Sequence, residues 1–273
     1  MSNSPFAGKK LAVIGAGNMG EALVRGALGA KLLAPTQITA ADPSPQRREF
    51  LAGLGAAVTA SNREAVEAAD VVVLAVKPQQ LAEVLAGIAD VAADKLFISI
   101  VAGAPTSRIA AALGGEARVV RAMPNTPLVV GLGATGLAAG PTATAEDLKL
   151  ARALFEAGGI VLQMHEEDLD VVTAVGGSGP AYLFYLAEAM IEAARAEGLP
   201  GGLSRELVAA TLRGAAELLA RGGEPPEELR RKVTSPGGTT AAAIEVLDAA
   251  GVKARIVEAV RRAAARSREL GRQ

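Results

Sequence analysis

Along the first part of the chain, short unbroken hydrophobic runs alternate with stretches whose apolar residues recur at helical spacing. The runs are Leu11–Ile14, Ile38–Ala41, Asp70–Val76, Leu96–Val101, Val119–Met123 and Ile160–Gln163. None alternates apolar with polar, which is the pattern of strands buried on both faces. Helices are predicted between them at Glu21–Leu28, Pro45–Leu54, Arg63–Ala69, Gln79–Ala92, Ser107–Leu113 and Ala145–Ala157. This alternation predicts an α/β domain, a parallel sheet covered by helices. Thr144 and Asp147 are placed to open the last of these helices as N-cap and first-turn acid.

After Met164 the strand pattern stops. Helices are predicted at Ala181–Glu197, Arg205–Arg221, Glu227–Lys232, Ala241–Ala249 and Val252–Leu270, with glycine- and proline-rich breaks between them. Ser204 is placed as an N-cap, and Pro225–Pro226 as a helix start. The expected division is residues 1–164 as the α/β domain and 165–273 as an all-α domain. Helices this rich in Ala and Leu carry apolar surface on more than one face; a second subunit would complete their core, the alternative being a self-contained bundle.

Composition narrows the chemistry. With 28 basic and 29 acidic residues, the charge gives no electrostatic case for nucleic acid. Two tyrosines, five phenylalanines and no tryptophan leave little for base stacking. No cysteine is present, so disulfides and thiolate catalysis are excluded, and one histidine makes a His-rich metal site a poor expectation. Residues 1–10 lack the layout of a secretory signal, and the apolar runs are strand-sized, too short to span a bilayer. A cytoplasmic globular protein is expected, with neither membrane nor nucleic acid as partner.

The first strand runs into Gly15-Ala16-Gly17-Asn18-Met19-Gly20, a G-x-G-x-x-G turn that opens a helix. Such glycines allow a tight turn and let a pyrophosphate approach the backbone and the helix N-terminus. The next strand ends at Asp42, twenty-two residues after Gly20, where an acid can hold a ribose. Asp42 would accept from a ribose 2′-OH and repel a 2′-phosphate. Ser44, Arg47 and Arg48 follow, and arginines there would suit a phosphate, so NAD(H) and NADP(H) both stay open. Two further strands close at Ala75-Val76-Lys77-Pro78 and Val101-Ala102-Gly103, on the edge where open α/β sheets bind ligands. For Lys77 the backbone is expected to serve the cofactor while the side chain leads to solvent.

In the helical half, Val233–Thr240 joins two helices, and its glycine pair feeds a helix N-terminus. Free N–H groups, the helix dipole and the hydroxyls of Ser235, Thr239 and Thr240 would make a nest for a carboxylate, and four hydroxyls in one eight-residue loop exceed what capping requires. The loop from Gly176 to Tyr182 also opens a helix, with Ser178 placed to cap it. Tyr182 and Tyr185 read as packed residues, and His165 as an exposed linker residue.

With these segments in view, the sequence resembles the pyrroline-5-carboxylate reductase family over essentially its whole length. The residues that carry the resemblance are Gly15–Gly20, Asn62–Val66, Ala75–Pro78, Met123–Pro127, Gly177–Tyr182 and, most specifically, Thr234–Thr240. It implies a Rossmann-type NAD(P)-binding domain followed by an all-α dimerisation domain, a homodimer, and possible rings of dimers. It also implies that Gly15, Ala16, Gly17, Asn18, Met19 and Gly20 hold the pyrophosphate, with Asp42, Ser44 and Asn62 around the adenosine ribose. Ala75, Val76, Lys77, Pro78, Ala102 and Gly103 would flank the cofactor, and Glu166 would reach it from the helical side. Ser178, Ser235, Gly238, Thr239 and Thr240 would form the substrate site, Thr240 meeting the ring nitrogen. Three departures stand out. Gly176 replaces a usual serine, Lys232 a common amide, and Asp42 a more usual neutral polar residue.

The reaction so implied is hydride transfer from NAD(P)H to the C=N bond of 1-pyrroline-5-carboxylate, giving L-proline, with the resemblance favouring NADPH. No metal is expected, and the imine would arrive protonated or take its proton through water. The alternatives are another imine reductase, a hydroxyacid dehydrogenase or a non-catalytic NAD(P)-binding regulator. A hydroxyacid dehydrogenase would need a lysine in the helical half. Only Lys232 and Lys253 are there, neither beside the Ser-Gly-Pro loop.

Overall fold

A computed structural model describes residues 4–271. The strands are β1 (Leu11–Ile14), β2 (Ile38–Ala41), β3 (Ala57–Thr59), β4 (Val71–Leu74), β5 (Leu96–Ser99), β6 (Arg118–Met123), β7 (Gly133–Ala139) and β8 (Gly159–Gln163). They form one sheet in the order β3-β2-β1-β4-β5-β6-β7-β8, parallel except where β7 runs antiparallel to β6. Helices α1 (Asn18–Gly29), α2 (Pro45–Ala52), α3 (Asn62–Glu67), α4 (Leu81–Ile88), α5 (Thr106–Ala112) and α6 (Ala145–Glu156) cover its two faces. Each face has its own core. Leu11, Val13, Leu23, Phe155 and their neighbours pack on one side, and Ile14, Val72, Ile88 and Phe97 on the other.

The sheet's order explains where a ligand can lie. From β1 the chain builds outward through β2 and β3, then returns to place β4 on β1's other side. The connections after β1 and β4 therefore leave in opposite directions and open a crevice at the strands' carboxyl ends. Strand β4 is shorter than the hydrophobic run predicted. Ala75 still donates its N–H to Ile14 O at 2.8 Å, but a tight turn begins at Pro78. That turn and a second at Ala89–Val91 reduce the single helix expected over Gln79–Ala92 to α4.

Thr144 caps α6 as predicted. Its hydroxyl accepts from Asp147 N–H, and the Asp147 carboxylate accepts from Thr144 N–H at 2.8 Å. Asp147 is buried and also takes Arg118 Nη1 at 2.6 Å. Asp147→Asn is expected to lower unfolding free energy by about 2 kcal/mol, read as a lower urea midpoint at unchanged slope.

The remaining helices are α7 (Leu169–Val172), α8 (Gly179–Ala196), α9 (Gly201–Gly222), α10 (Pro226–Lys232), α11 (Thr239–Ala249) and α12 (Val252–Gly271). The described residues divide into two compact units. One holds residues up to Ser178 together with those from Ala263 onward, and the other is Gly179–Arg262. The first helical turns thus stay with the sheet: α7 packs on β7, where a side chain at Gly136 would meet Leu169 at 2.8 Å. The end of α12 joins the same unit, Ser267 donating its hydroxyl to Asp170 Oδ1 at 2.6 Å.

Two caps differ from expectation. Helix α9 begins at Gly201, so Ser204 lies inside its first turn, buried, donating its hydroxyl back to Pro200 O at 3.0 Å. Ser178 has helical rather than extended backbone, because a π turn over Thr173–Gly177 runs into it and Thr173 O takes its N–H. Pro226 opens α10 as predicted, preceded by Pro225 in extended conformation. Among the described residues no helix is long and apolar enough to cross a membrane.

Candidate active site

At the carboxyl ends of β1 and β4 lies a crevice of about 570 Å³. Of the residues predicted for the cofactor it is walled by Gly15, Gly17, Asp42, Asn62, Ala75, Val76 and Lys77. Gly15 has φ +101, and a Cβ there would sit 2.7 Å from Ala75 O, so its side-chain-free backbone is what lets β1 and β4 turn away side by side. Gly20 serves packing too, since a Cβ would collide with the Gly15 carbonyl oxygen. Gly17 is different. It has ordinary extended backbone, and nothing lies within 4 Å of a Cβ built on it. The fold does not require a glycine there, but a pyrophosphate would.

Helix α1 starts at Asn18 with no side chain capping it, so its first N–H groups await an outside acceptor. The residues present therefore fit a dinucleotide. Ala16 is an exception to the predicted pyrophosphate set, because Asp42 Oδ2 takes its N–H at 2.8 Å. Asp42 Oδ1 takes the N–H of Ser44 at 2.8 Å, so the carboxylate first ties the glycine turn to the end of β2. Asp42 also helps to wall the crevice, and its carboxylate keeps capacity to accept further bonds. Ser44 caps α2 and, like Met19 and Pro78, adjoins the crevice without walling it. The sequence reading missed Gln80, Glu83 and Gly87, which come from the turn and helix after β4. The only signal for them was their place after the strand end.

The arginines after Asp42 are occupied. Arg48 Nη1 donates to the carbonyls of Asp42 and Pro43, at 2.7 and 2.9 Å. Arg47 donates from Nε to Ala16 O and from Nη2 to Glu21 Oε2 at 2.9 Å. Burial alone would raise the carboxyl of Glu21. The guanidiniums of Arg25 and Arg47 outweigh it and hold the group below its usual range.

Glu166 is engaged at the start of α5, its two oxygens taking the N–H and hydroxyl of Thr106, each at 2.7 Å. Arg121, buried on β6, lies 3.6 Å from it. Ala102 and Gly103 lie in the connection before α5, where the end of α12 presses on Gly103: a Cβ there would stand 2.9 Å from Gly271 N. Lys77 and His165 are exposed, as read from sequence.

In the helical unit, α11 begins two residues earlier than predicted, at Thr239, with Gly238 as an N-cap that carries no capping side chain. Gly237, at φ +70, makes the turn that brings Ser235 Oγ against Gly238. Among the described residues the hydroxyls of Ser235, Thr239 and Thr240 make no hydrogen bond. Thr234, the loop's fourth hydroxyl, stands apart. It spends its hydroxyl on Arg230 O at 2.7 Å, at the end of α10. Three hydroxyls and the first N–H groups of an uncapped helix therefore converge on one loop, an arrangement that suits a carboxylate. Tyr185 is not packed as expected: it is 77% exposed on α8.

Residues 166–270 match the family model described as pyrroline-5-carboxylate reductase dimerisation. Residues 10–103 match that described as NADP oxidoreductase, coenzyme F420-dependent. The chain is 42% identical to the pyrroline-5-carboxylate reductase of Methanosarcina acetivorans, over 97% of this chain and 99% of that one. The chain belongs to the pyrroline-5-carboxylate reductase family. It is also 43% identical to the reductase of Pseudomonas aeruginosa, over 97% of each chain. A crystal structure of the Plasmodium falciparum pyrroline carboxylate reductase with NADP bound matches at a TM-score of 0.89. Identity to it is 32%, over 96% of this chain and 98% of that one.

One departure from this reductase family's pattern has a visible structural role. Lys232 donates to both oxygens of Glu224, at 2.5 and 2.7 Å, and so closes the turn before α10. At Gly176 the backbone carbonyl accepts from Asn125 Nδ2 at 3.2 Å.

Proposed function

We propose that this chain is an NAD(P)H-dependent reductase of 1-pyrroline-5-carboxylate, working as a homodimer in the cytoplasm. The observation that carries the substrate reading is the Ser235–Thr240 loop, in which the hydroxyls of Ser235, Thr239 and Thr240 make no hydrogen bond among the described residues. Family membership supplies the reaction. One hydride and one proton add across the ring C=N bond, and L-proline results.

In this reading Gly17, Asn18 and Met19 receive the pyrophosphate against the start of α1, Gly15 and Gly20 shaping the turn beneath them. Asp42, Asn62 and Ser44 surround the adenosine ribose. Ala75 to Pro78 and Ala102–Gly103 flank the rest of the cofactor, which supplies the hydride when bound. Glu166 acts through Thr106, holding the connection that carries Gly103. The substrate carboxylate takes the N–H groups of Thr239 and Thr240 and the hydroxyl of Ser235, with Gly238 leaving the approach open; Ser178, just before α8, is assigned to the substrate by the family resemblance alone. The ring nitrogen, protonated on arrival or through water, donates to Thr240 Oγ. Thr240 thereby orients the imine, and acceleration comes mainly from positioning. Incubation of the imine with NADPH is expected to yield proline on chromatography. Failure to form proline would overturn the reading; the product's configuration is set in the imine before reduction and does not bear on it.

The dimer is supported by the helical unit's lack of a core. On α8, Leu183, Phe184, Tyr185 and Leu186 are all exposed, and so are Leu203, Leu207, Leu218 and Leu219 on α9. Surface so apolar calls for a cover, and the dimerisation family match is consistent with a second copy. Closed rings of such dimers extend the same proposal. Phe184→Glu, counted twice in an isologous interface, is expected to weaken the dimer by about 1000-fold. Sedimentation at micromolar concentration would then show monomer.

A further inference from the structure

NADH and NADPH differ only by a phosphate on the adenosine 2′ oxygen, so a cation facing that oxygen weights the choice between them. Arg47, on the first turn of α2 that follows Asp42, is the candidate for that cation. Its Nε donates to the carbonyl of Ala16, and the N–H of the same residue donates to Asp42 Oδ2. The guanidinium and the ribose-facing carboxylate thus both bind Ala16. In this structure, however, the side-on edge of the guanidinium is spent: Nε on Ala16 O and Nη2 on Glu21 Oε2 at 2.9 Å. That edge is the fork which would otherwise grip a phosphate with two parallel bonds.

Glu21 lies on the first turn of α1 and accepts from Arg25 Nε at 3.0 Å as well. Both guanidiniums sit over the ring of Phe50, at 5.0 and 5.4 Å. The other groups here are Asp42, of like sign to a phosphate, and Arg48, tied to the carbonyls of Asp42 and Pro43. The Arg47–Glu21 pair keeps 31% and 21% of its side-chain surface exposed, so it is weak enough to exchange for a better anion.

We propose that Glu21 is a specificity-determining residue, which withholds Arg47 from a 2′-phosphate and lowers the chain's relative affinity for NADPH. The inference rests on the dinucleotide reading of the crevice given above. It predicts opposite effects for Glu21's two sides. Glu21→Gln frees the Arg47 fork and removes a charge that repels phosphate. Arg25→Gln leaves Arg47 as Glu21's sole cation and tightens the hold.

The test is calorimetric titration of the purified full-length protein with NADH and with NADPH. Glu21→Gln is expected to raise the ratio of NADPH to NADH affinity about tenfold, and Arg25→Gln to lower it. In Glu21→Gln/Arg47→Gln the gain should vanish. A general loosening of α1 would weaken both dinucleotides alike and leave the ratio unmoved. A Glu21→Gln ratio within about twofold of the parent, or a gain that survives loss of Arg47, overturns the proposal. If neither dinucleotide binds the parent protein, the crevice reading falls as well.

Discussion

Thr240→Ala is expected to lower kcat/KM for the imine by about 10- to 100-fold, the worth of one hydrogen bond made to the reacting nitrogen. The fold should not register the change. The Thr240 hydroxyl has no partner among the described residues, and α11, which begins at Thr239 after Gly238, has no side-chain cap to lose. Thr240→Ser, which keeps the hydroxyl, should restore most of the activity. Thr234→Ala is the matched control. Its hydroxyl closes α10 on Arg230 O, so its loss should cost a few tenths to about 1 kcal/mol of stability with little effect on turnover. Steady-state kinetics and thermal melts on the three variants separate the roles. Equal kinetics for Thr240→Ala and Thr234→Ala would remove Thr240 from the chemistry.

Gly17→Ala should produce a comparably large effect through the cofactor alone. A methyl group at position 17 meets nothing within 4 Å, and the residue has φ −65, so the fold accepts alanine. The same methyl would stand where a pyrophosphate must approach. Affinity for NADPH is expected to fall about 100-fold with the melting temperature essentially unchanged. Gly15→Ala makes the contrast. Its φ of +101 and a Cβ 2.7 Å from Ala75 O cost about 2–3 kcal/mol of stability before any cofactor arrives. Binding measured by quenching or calorimetry, beside a melt, distinguishes the two glycines. Unweakened binding in Gly17→Ala would mean that the pyrophosphate lies elsewhere.

Much of the fold was legible because its signals are local. Strands β1 and β2 match their predicted runs to the residue, since full burial on both faces demands continuous β-branched and aliphatic sequence. Strand β7 was not foreseen. It reads Gly-Ala-Thr-Gly-Leu-Ala-Ala, because Gly136 must lie flat against Leu169 and Val172 and Gly133 against Leu128. Close packing there removed the bulky side chains that advertise a strand. Strand β3 is three residues long and half exposed, below what a pattern can mark.

At the site, type and place were readable but allegiance was not. The sequence put Asp42, Arg47 and Glu166 near the cofactor without showing that each already holds backbone or a neighbour: Ala16, Glu21 and Thr106. Partners remote in sequence decide that, and hydroxyls follow the same rule. That the Thr234 hydroxyl is spent on the carbonyl of Arg230, while the Thr240 hydroxyl is not, could be seen only in the structure. Tyr185 was read as packed, yet nothing within the helical unit buries it or its apolar neighbours Leu183, Phe184 and Leu186 on α8. In the proposed dimer their cover would come from the second copy rather than from the chain itself.

The most direct measurement follows dinucleotide absorbance at 340 nm with the purified protein and 1-pyrroline-5-carboxylate, NADH and NADPH run in parallel. The account predicts oxidation of the reduced cofactor that depends on the imine and matches proline formed one for one. Cofactor that binds but is not oxidised with either dinucleotide would contradict it.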